Sequence, residues 1–201
     1  LRFEIGDLKS KISNLKSKIF MPKLVLLIGL PGSGKSSLAQ QIVAASQGHL
    51  LISTDAIRGQ LFGDEAIQGA WVLIAQELQR QLHQAVGAIC QNSARSAIFD
   101  ATNAVLQHRR EAIALARDTG FTHITGLWLD TPVWLCLFRN RRRRRIVPDD
   151  VILRMHRQLR QEPPSLADGL DCLIRYYPGG CSTVSALAQV RKNRTRPNLH
   201  L

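Results

Sequence analysis

The stretch Gly29-Leu30-Pro31-Gly32-Ser33-Gly34-Lys35-Ser36 lies between an apolar run, Leu24-Val25-Leu26-Leu27-Ile28, and a segment of helical character from Ser37 to Ala45. Two glycines flanking four residues, then Lys and Ser, between a buried strand and a helix start, read as a phosphate-binding loop. Glycines let the backbone wrap an anion closely with its N–H groups pointing inward, and the helix that follows adds positive potential at its N-terminus. In such a loop Lys35 reaches the β- and γ-phosphates of a nucleoside triphosphate, and the Ser36 hydroxyl holds Mg²⁺. Gly29, Pro31, Gly32, Ser33, Gly34 and Ser37 complete the expected cradle.

Working outward, two further apolar runs end in a carboxylate. His49-Leu50-Leu51-Ile52-Ser53 reads as a second strand with Asp55 just past its end, and Ala97-Ile98-Phe99-Asp100 as a third. Ligands of parallel α/β sheets sit beyond the carboxyl ends of the strands, so both acids are well placed. Asp55 has two compatible readings, helix N-cap and site residue, and Arg58 follows it by one helical turn. Asp100 is expected to hold Mg²⁺ through water or to bind Ser36.

Between these runs, Trp71, Ile74, Leu78, Leu82, Val86 and Ile89 recur at helical spacing, so residues 65–92 read as a long amphipathic crossover. Residues 105–119 read as another helix, with Gly120 as its C-cap, and Thr122 to Leu129 as a fourth strand. A helix from Val133 is expected to run into the arginines. A second, capped by Asp149 or Asp150, carries Val151, Ile152, Met155 and Leu159 on one face. Cys172-Leu173-Ile174 is a candidate last strand, and the chain beyond Pro178 has no clear period except from Val184 to Val190.

At 201 residues, 45% apolar and 21% charged, the chain suits one soluble domain with short extensions. No apolar run is long enough to span a membrane, and no signal peptide is seen, so a cytoplasmic protein is expected. The four cysteines form no CxxC pair, which argues against a zinc site and for reduced thiols. The net charge of +12 is unevenly placed: residues 139–160 carry +7, whereas residues 24–138 carry −1. Residues 1–23 carry +4, residues 161–174 carry −3, and residues 175–201 carry +5. That is the signature of a local anionic partner. The run Arg141 to Arg145 is either a solvated face or a lid that delivers an arginine to the γ-phosphate.

The loop, Asp55-Ala56-Ile57-Arg58, Asp100-Ala101-Thr102-Asn103, Arg139-Asn140 and Val147-Pro148 together resemble the kinase domain of phage-type polynucleotide 5′-kinase and related small P-loop kinases, over about residues 22–160. The resemblance implies an α/β, three-layer P-loop NTPase fold with a mainly parallel central sheet flanked by helices. It also implies a Mg-ATP-dependent kinase acting on a hydroxyl. Asp55 then looks like the general base and Arg58 like the contact to the acceptor's phosphate. Arg142 or Arg143 looks like the lid arginine, with Arg143 the candidate catalytic one and Arg139 and Arg142 candidates for nucleotide contact. Thr102 and Asn103 fall where that family lines its acceptor cleft. The acceptor is expected to be a nucleic-acid 5′-end or a small hydroxylated molecule, with an ATPase that only binds nucleic acid as a third alternative. The expected organisation is an N-terminal extension over 1–21, dispensable or a partner-binding helix. A kinase domain over 22–178 follows, with its lid at about 139–148, and then a basic, mobile tail over 179–201.

Overall fold

The computed structural model describes residues 21–67, 69–143, 145–177 and 180–185. The expected N-terminal extension and most of the basic tail lie outside them. The elements are, in order, β1 (Lys23–Ile28), α1 (Lys35–Ala45), β2 (His49–Ser53), α2 (Thr54–Phe62), α3 (Trp71–Cys90) and β3 (Ser96–Asp100). Then follow α4 (Leu106–Asp118), β4 (His123–Leu129), α5 (Val133–Asn140), α6 (Asp149–Gln161), a 3₁₀ turn (Leu166–Asp168), β5 (Cys172–Tyr177) and β6 (Gly180–Ser185).

The six strands form one sheet in the order β2-β3-β1-β4-β5-β6. The first five are parallel, and only β6 runs antiparallel, against β5. β1 reads as a continuous apolar run because it is covered on both sides, as parallel strands must be. Its residues divide by alternation: Leu24, Leu26 and Ile28 join the larger core, while Leu27 and Val25 join a smaller one with Ile98 and Ala39 of α1. The larger core takes in residues of α2 to α6. Helices on both faces of a mainly parallel sheet give three layers.

Among the described residues no helix is long and apolar enough to cross a membrane. α3 buries Ile74, Leu78, Leu82, Ala85 and Ile89, a stripe at spacings of three and four. Trp71, expected to open that stripe, is 56% exposed at the helix start, where the stripe has not yet met the core.

One cap differs from expectation, and the glycine expected to end α4 does so. Neither Asp149 nor Asp150 caps α6: Pro148 occupies that position, and both acids lie in the first turn, where they favour the helix dipole. Gly120 follows Thr119 at φ 109° and turns the chain out of α4. The expected boundary at residue 178 also falls inside a hairpin, since β6 pairs with the whole of β5.

Behind the ends of β1 and β3, a charge is buried. Arg109 of α4 is fully buried; its Nε donates to Asp168 Oδ2 at 2.7 Å and its Nη1 to the carbonyl of Asn103 at 3.1 Å. Its Nη2 donates to the carbonyl of Glu162 at 3.1 Å. Asp168 in turn accepts from the backbone and hydroxyl of Ser165. Removing one partner of such a pair leaves a charge without compensation in the interior. Asp168→Ala is expected to destabilise the fold by about 3–5 kcal/mol in urea unfolding.

Candidate active site

Parallel register brings the carboxyl ends of β2, β3 and β1 to one edge. Ser53 pairs with Asp100 across β2 and β3, so Asp55, Asp100 and the loop after Ile28 converge there. The Gly29 N–H donates to the carbonyl of Thr102 at 2.9 Å, tying the start of the loop to the segment after β3. Ser33 N–H closes a turn onto Leu30 O, and Thr131 Oγ1 donates to Ser33 O, both at 3.0 Å. Pro31 is buried beneath the loop, whereas Ser36 and Ser37 are exposed at the start of α1.

Two glycines are required by shape. Gly34 stands at the N-cap of α1 with φ 101°. Gly32, at φ 81°, lies against the backbone of α5, where a Cβ would fall 2.4 Å from the carbonyl oxygen of Cys136. A fixed carbonyl cannot yield that distance. Gly32→Ala is expected to abolish detectable nucleoside-triphosphate binding in calorimetry. Ser37→Ala, on the exposed side of the same loop, retains it.

Lys35 is buried, and its ammonium donates to the carbonyls of Gly29 at 2.9 Å and Leu30 at 2.8 Å and to Ser33 Oγ at 3.3 Å. Desolvation dominates its electrostatics and lowers its pKa from 10.5 to about 8, against the opposing pull of Asp100 and, more weakly, Cys136 and Asp55. Arg143 pushes in the same direction as burial. The protonated form is the one that attracts phosphate, so binding above pH 8 must take up a proton. Affinity for a nucleoside triphosphate is therefore expected to fall as pH rises from about 8 to about 10, in a fluorescence titration without metal. Lys35→Met weakens binding and removes that slope.

A cavity of about 440 Å³ opens over this loop, lined by Gly32, Gly34, Lys35, Ser36 and Ser37, with Leu38 and Gln41 of α1 and with Arg139 and Arg143. The Arg139 guanidinium stands beside Gly34, 3.9 Å from where a Cβ would be. Arg142 does not join it. Its guanidinium lies 4.0 Å over the Phe138 ring, a cation–π contact on the exposed side of the segment, so the expected nucleotide contact falls to Arg139 and Arg143.

The arginine segment is not a continuous helix, because α5 ends at Asn140. Asn140 is fully buried: its Nδ2 donates to Val147 O at 2.7 Å, and its Oδ1 accepts from Val147 N–H at 3.1 Å. That reciprocal pair closes the loop between them, and Arg141 adds an ion pair to Asp149 at 2.6 Å.

Asp55 lies in the first turn of α2, and the N-cap is Ser53, whose Oγ accepts from Ala56 N–H at 3.4 Å. The Asp55 side chain is 45% exposed and its Oδ1 accepts from Arg58 Nη1 at 2.7 Å. Arg145 Nη1 reaches the same oxygen at 2.8 Å, a contact that no sequence signal separated from the rest of the run. Asp100 is buried at the end of β3.

Asn103, expected in the acceptor cleft, is turned inward: it is buried at φ 46°, and its Nδ2 donates to Leu27 O at 2.7 Å. It ties the end of β3 to β1 instead of facing a ligand. Thr102 is half-buried, with its carbonyl occupied by Gly29. The Cys136 thiol is pushed up to about 11 by burial, which makes it a packing group and not a nucleophile.

A family model for an AAA domain matches residues 24–163. The chain belongs to that family. Several solved structures are similar to this one in fold. Part of the Pnkp1/Rnl/Hen1 RNA repair complex superposes with a TM-score of 0.57 at 22% identity, over 70% of this chain and 45% of that one. The chain thus spans less than half the length of that relative. The Deinococcus radiodurans tunicamycin resistance protein gives 0.52 at 18% identity, over 70% of this chain and 82% of that one. A protein of the PezAT toxin–antitoxin system of Streptococcus pneumoniae gives 0.54 at 16% identity, over 94% and 87%. At these identities the likeness is one of fold. No curated protein matches the sequence.

Proposed function

We propose that this P-loop kinase-like domain transfers the γ-phosphate of ATP to a hydroxyl, with a polynucleotide 5′-hydroxyl as the favoured acceptor and the cytoplasm as its setting. The observation that carries the reading is the Asp55–Arg58 pair at the strand ends, beside but not inside the phosphate cavity. A triphosphate site needs no second acid–guanidinium pair. A transfer site does: a carboxylate to accept the hydroxyl proton and a cation to hold the acceptor.

In this reading the triphosphate enters the cavity over Gly32 to Ser37, and Lys35 exchanges its carbonyl partners for phosphate oxygens. Arg143 faces the γ-phosphoryl group and Arg139 the nucleotide. Arg58 holds an anionic group of the acceptor, Thr102 lines the same cleft, and Asp55 accepts the proton from the attacking hydroxyl. Ser36 and Asp100 fit Mg²⁺: an exposed hydroxyl and a buried carboxylate give two oxygens, and no cluster of three acidic, His or Cys ligands exists among the described residues. Such a sparse donor set suits an ion that takes its other oxygens from phosphate and water. When bound, the ion offsets charge on the phosphate oxygens.

A small phosphorylated or hydroxylated molecule as acceptor is the second reading. It is favoured by one fact: several of the arginines that make residues 139–160 basic are engaged within the protein.

Incubation with γ-labelled ATP, Mg²⁺ and a 5′-hydroxyl oligonucleotide should yield labelled oligonucleotide. Label on small hydroxylated molecules alone would shift the acceptor to the second reading, and label on neither class would remove the transferase. Asp55→Asn is expected to lose transfer by roughly 10²-fold or more while binding ATP as before. Unchanged transfer in that variant would reject Asp55 as the base.

A further inference from the structure

Two guanidinium groups meet one oxygen of Asp55, and they come from different elements. Arg58 Nη1 lies 2.7 Å from Oδ1 and belongs to the same helix, one turn on. Arg145 Nη1 lies 2.8 Å from the same atom and belongs to the far end of the arginine loop. That loop also carries Arg143, which lines the phosphate cavity. Its base is tied down by the reciprocal Asn140–Val147 bonds and by Arg141 on Asp149. Asp55 is thus the point on α2 to which the loop is fastened.

We propose that Arg145 gates the transfer reaction: it fastens the loop to Asp55 while the acceptor position is empty, and an acceptor that engages Asp55 displaces it. The inference rests on the reading of Asp55 as base. In transfer, the acceptor oxygen bonds to the γ-phosphorus and the bond from that phosphorus to the bridging oxygen breaks. ADP leaves with the electron pair, and the hydroxyl proton passes to Asp55. Water competes by the same steps and yields inorganic phosphate. Water brings no other contacts with which to displace a guanidinium, whereas an acceptor already held by its remaining parts does. Arg145 therefore discriminates between the two nucleophiles by binding energy. Its reach is bounded. With side chains 27% and 45% exposed, a pair of this kind holds against water by no more than about fivefold.

The experiment uses the full chain and follows phosphate release from Mg-ATP without acceptor. Arg145→Gln is expected to raise that hydrolysis about two- to fivefold, and Arg145→Lys, which keeps the charge, to stay near the native rate. Combined with Asp55→Asn, the rise disappears. No rise in Arg145→Gln, or a rise that survives in the Asp55→Asn background, overturns the gate. A second readout needs no catalysis. Trypsin cleavage within the arginine segment should quicken in Asp55→Asn, with cleavage elsewhere unchanged. Equal cleavage there would show that the loop is not fastened at Asp55 and overturns the proposal. Hydrolysis and cleavage that behave as expected, in a protein that labels no acceptor, keep Arg145 as a restraint on hydrolysis and overturn its part in transfer together with the transferase reading. Labelled acceptor with no rise in hydrolysis removes the gate alone.

Discussion

The loop from Gly29 to Ser36 closes on itself through the Lys35 ammonium and the Ser33–Leu30 turn, and the elements around it fix where it stands. The segment after β3 contributes through the Thr102 carbonyl, which receives the first N–H of the loop, and the segment after β4 through Thr131, which donates to Ser33. α5 contributes through the Cys136 backbone, against which Gly32 lies too closely for any side chain. These contacts need β3 and β4 on either side of β1 and in register with it, which is the arrangement the sheet provides. Lys35 shows what this precision is for. Its three donors have three acceptors although its charge is buried, and burial lowers its pKa to about 8.

The second wall is held by different physics. Arg109 and Asp168 form a buried ion pair, which contributes little net stability yet is expensive to leave half-made. Its value is positional. Arg109 gathers the Asn103 carbonyl, the end of α6 and the turn after it around one guanidinium, and Asn103 then reaches back to Leu27 of β1. The segment after β3 is thereby fixed between the phosphate loop and the interior. Asn103 belongs to the support of the site.

Local patterns in the chain carried most of this. The apolar runs before Gly29 and Asp100 announced parallel strands because burial on both faces leaves no alternation to obscure them, and the run before Ser53 did so although Leu51 is exposed at the sheet edge. The loop and the one-turn spacing of Asp55 and Arg58 were legible because each depends on near neighbours. What depended on distant partners was not. Gly180–Ser185 pairs with β5 through its backbone, and its sequence has too few apolar residues to declare a strand. Asn103 stands in a motif beside site residues, yet its partner is a carbonyl on another strand. The arginines could not be told apart by type. Arg142 turns to Phe138 and Arg145 to Asp55 because α5 stops at Asn140, and the stop is set by a bond to Val147 beyond the run.

That bond also changes what the positive charge of the segment means. Charge counted along the sequence suggests a strip for a polyanion, but charge acts through its uncompensated part. Arg141 is offset by Asp149 and Arg145 by Asp55, and Arg142 spends part of its field on an aromatic face. Arg143 and Arg139 keep theirs for the phosphate cavity. The described arginines of the segment are thus closer to a set of separate fastenings around one pocket than to a surface. In the proposed reaction, a polynucleotide acceptor would depend less on the number of arginines than on whether entering its cleft releases Arg145. An acceptor that frees this side chain also supplies the anion to receive it, so recognition and opening become the same exchange of partners.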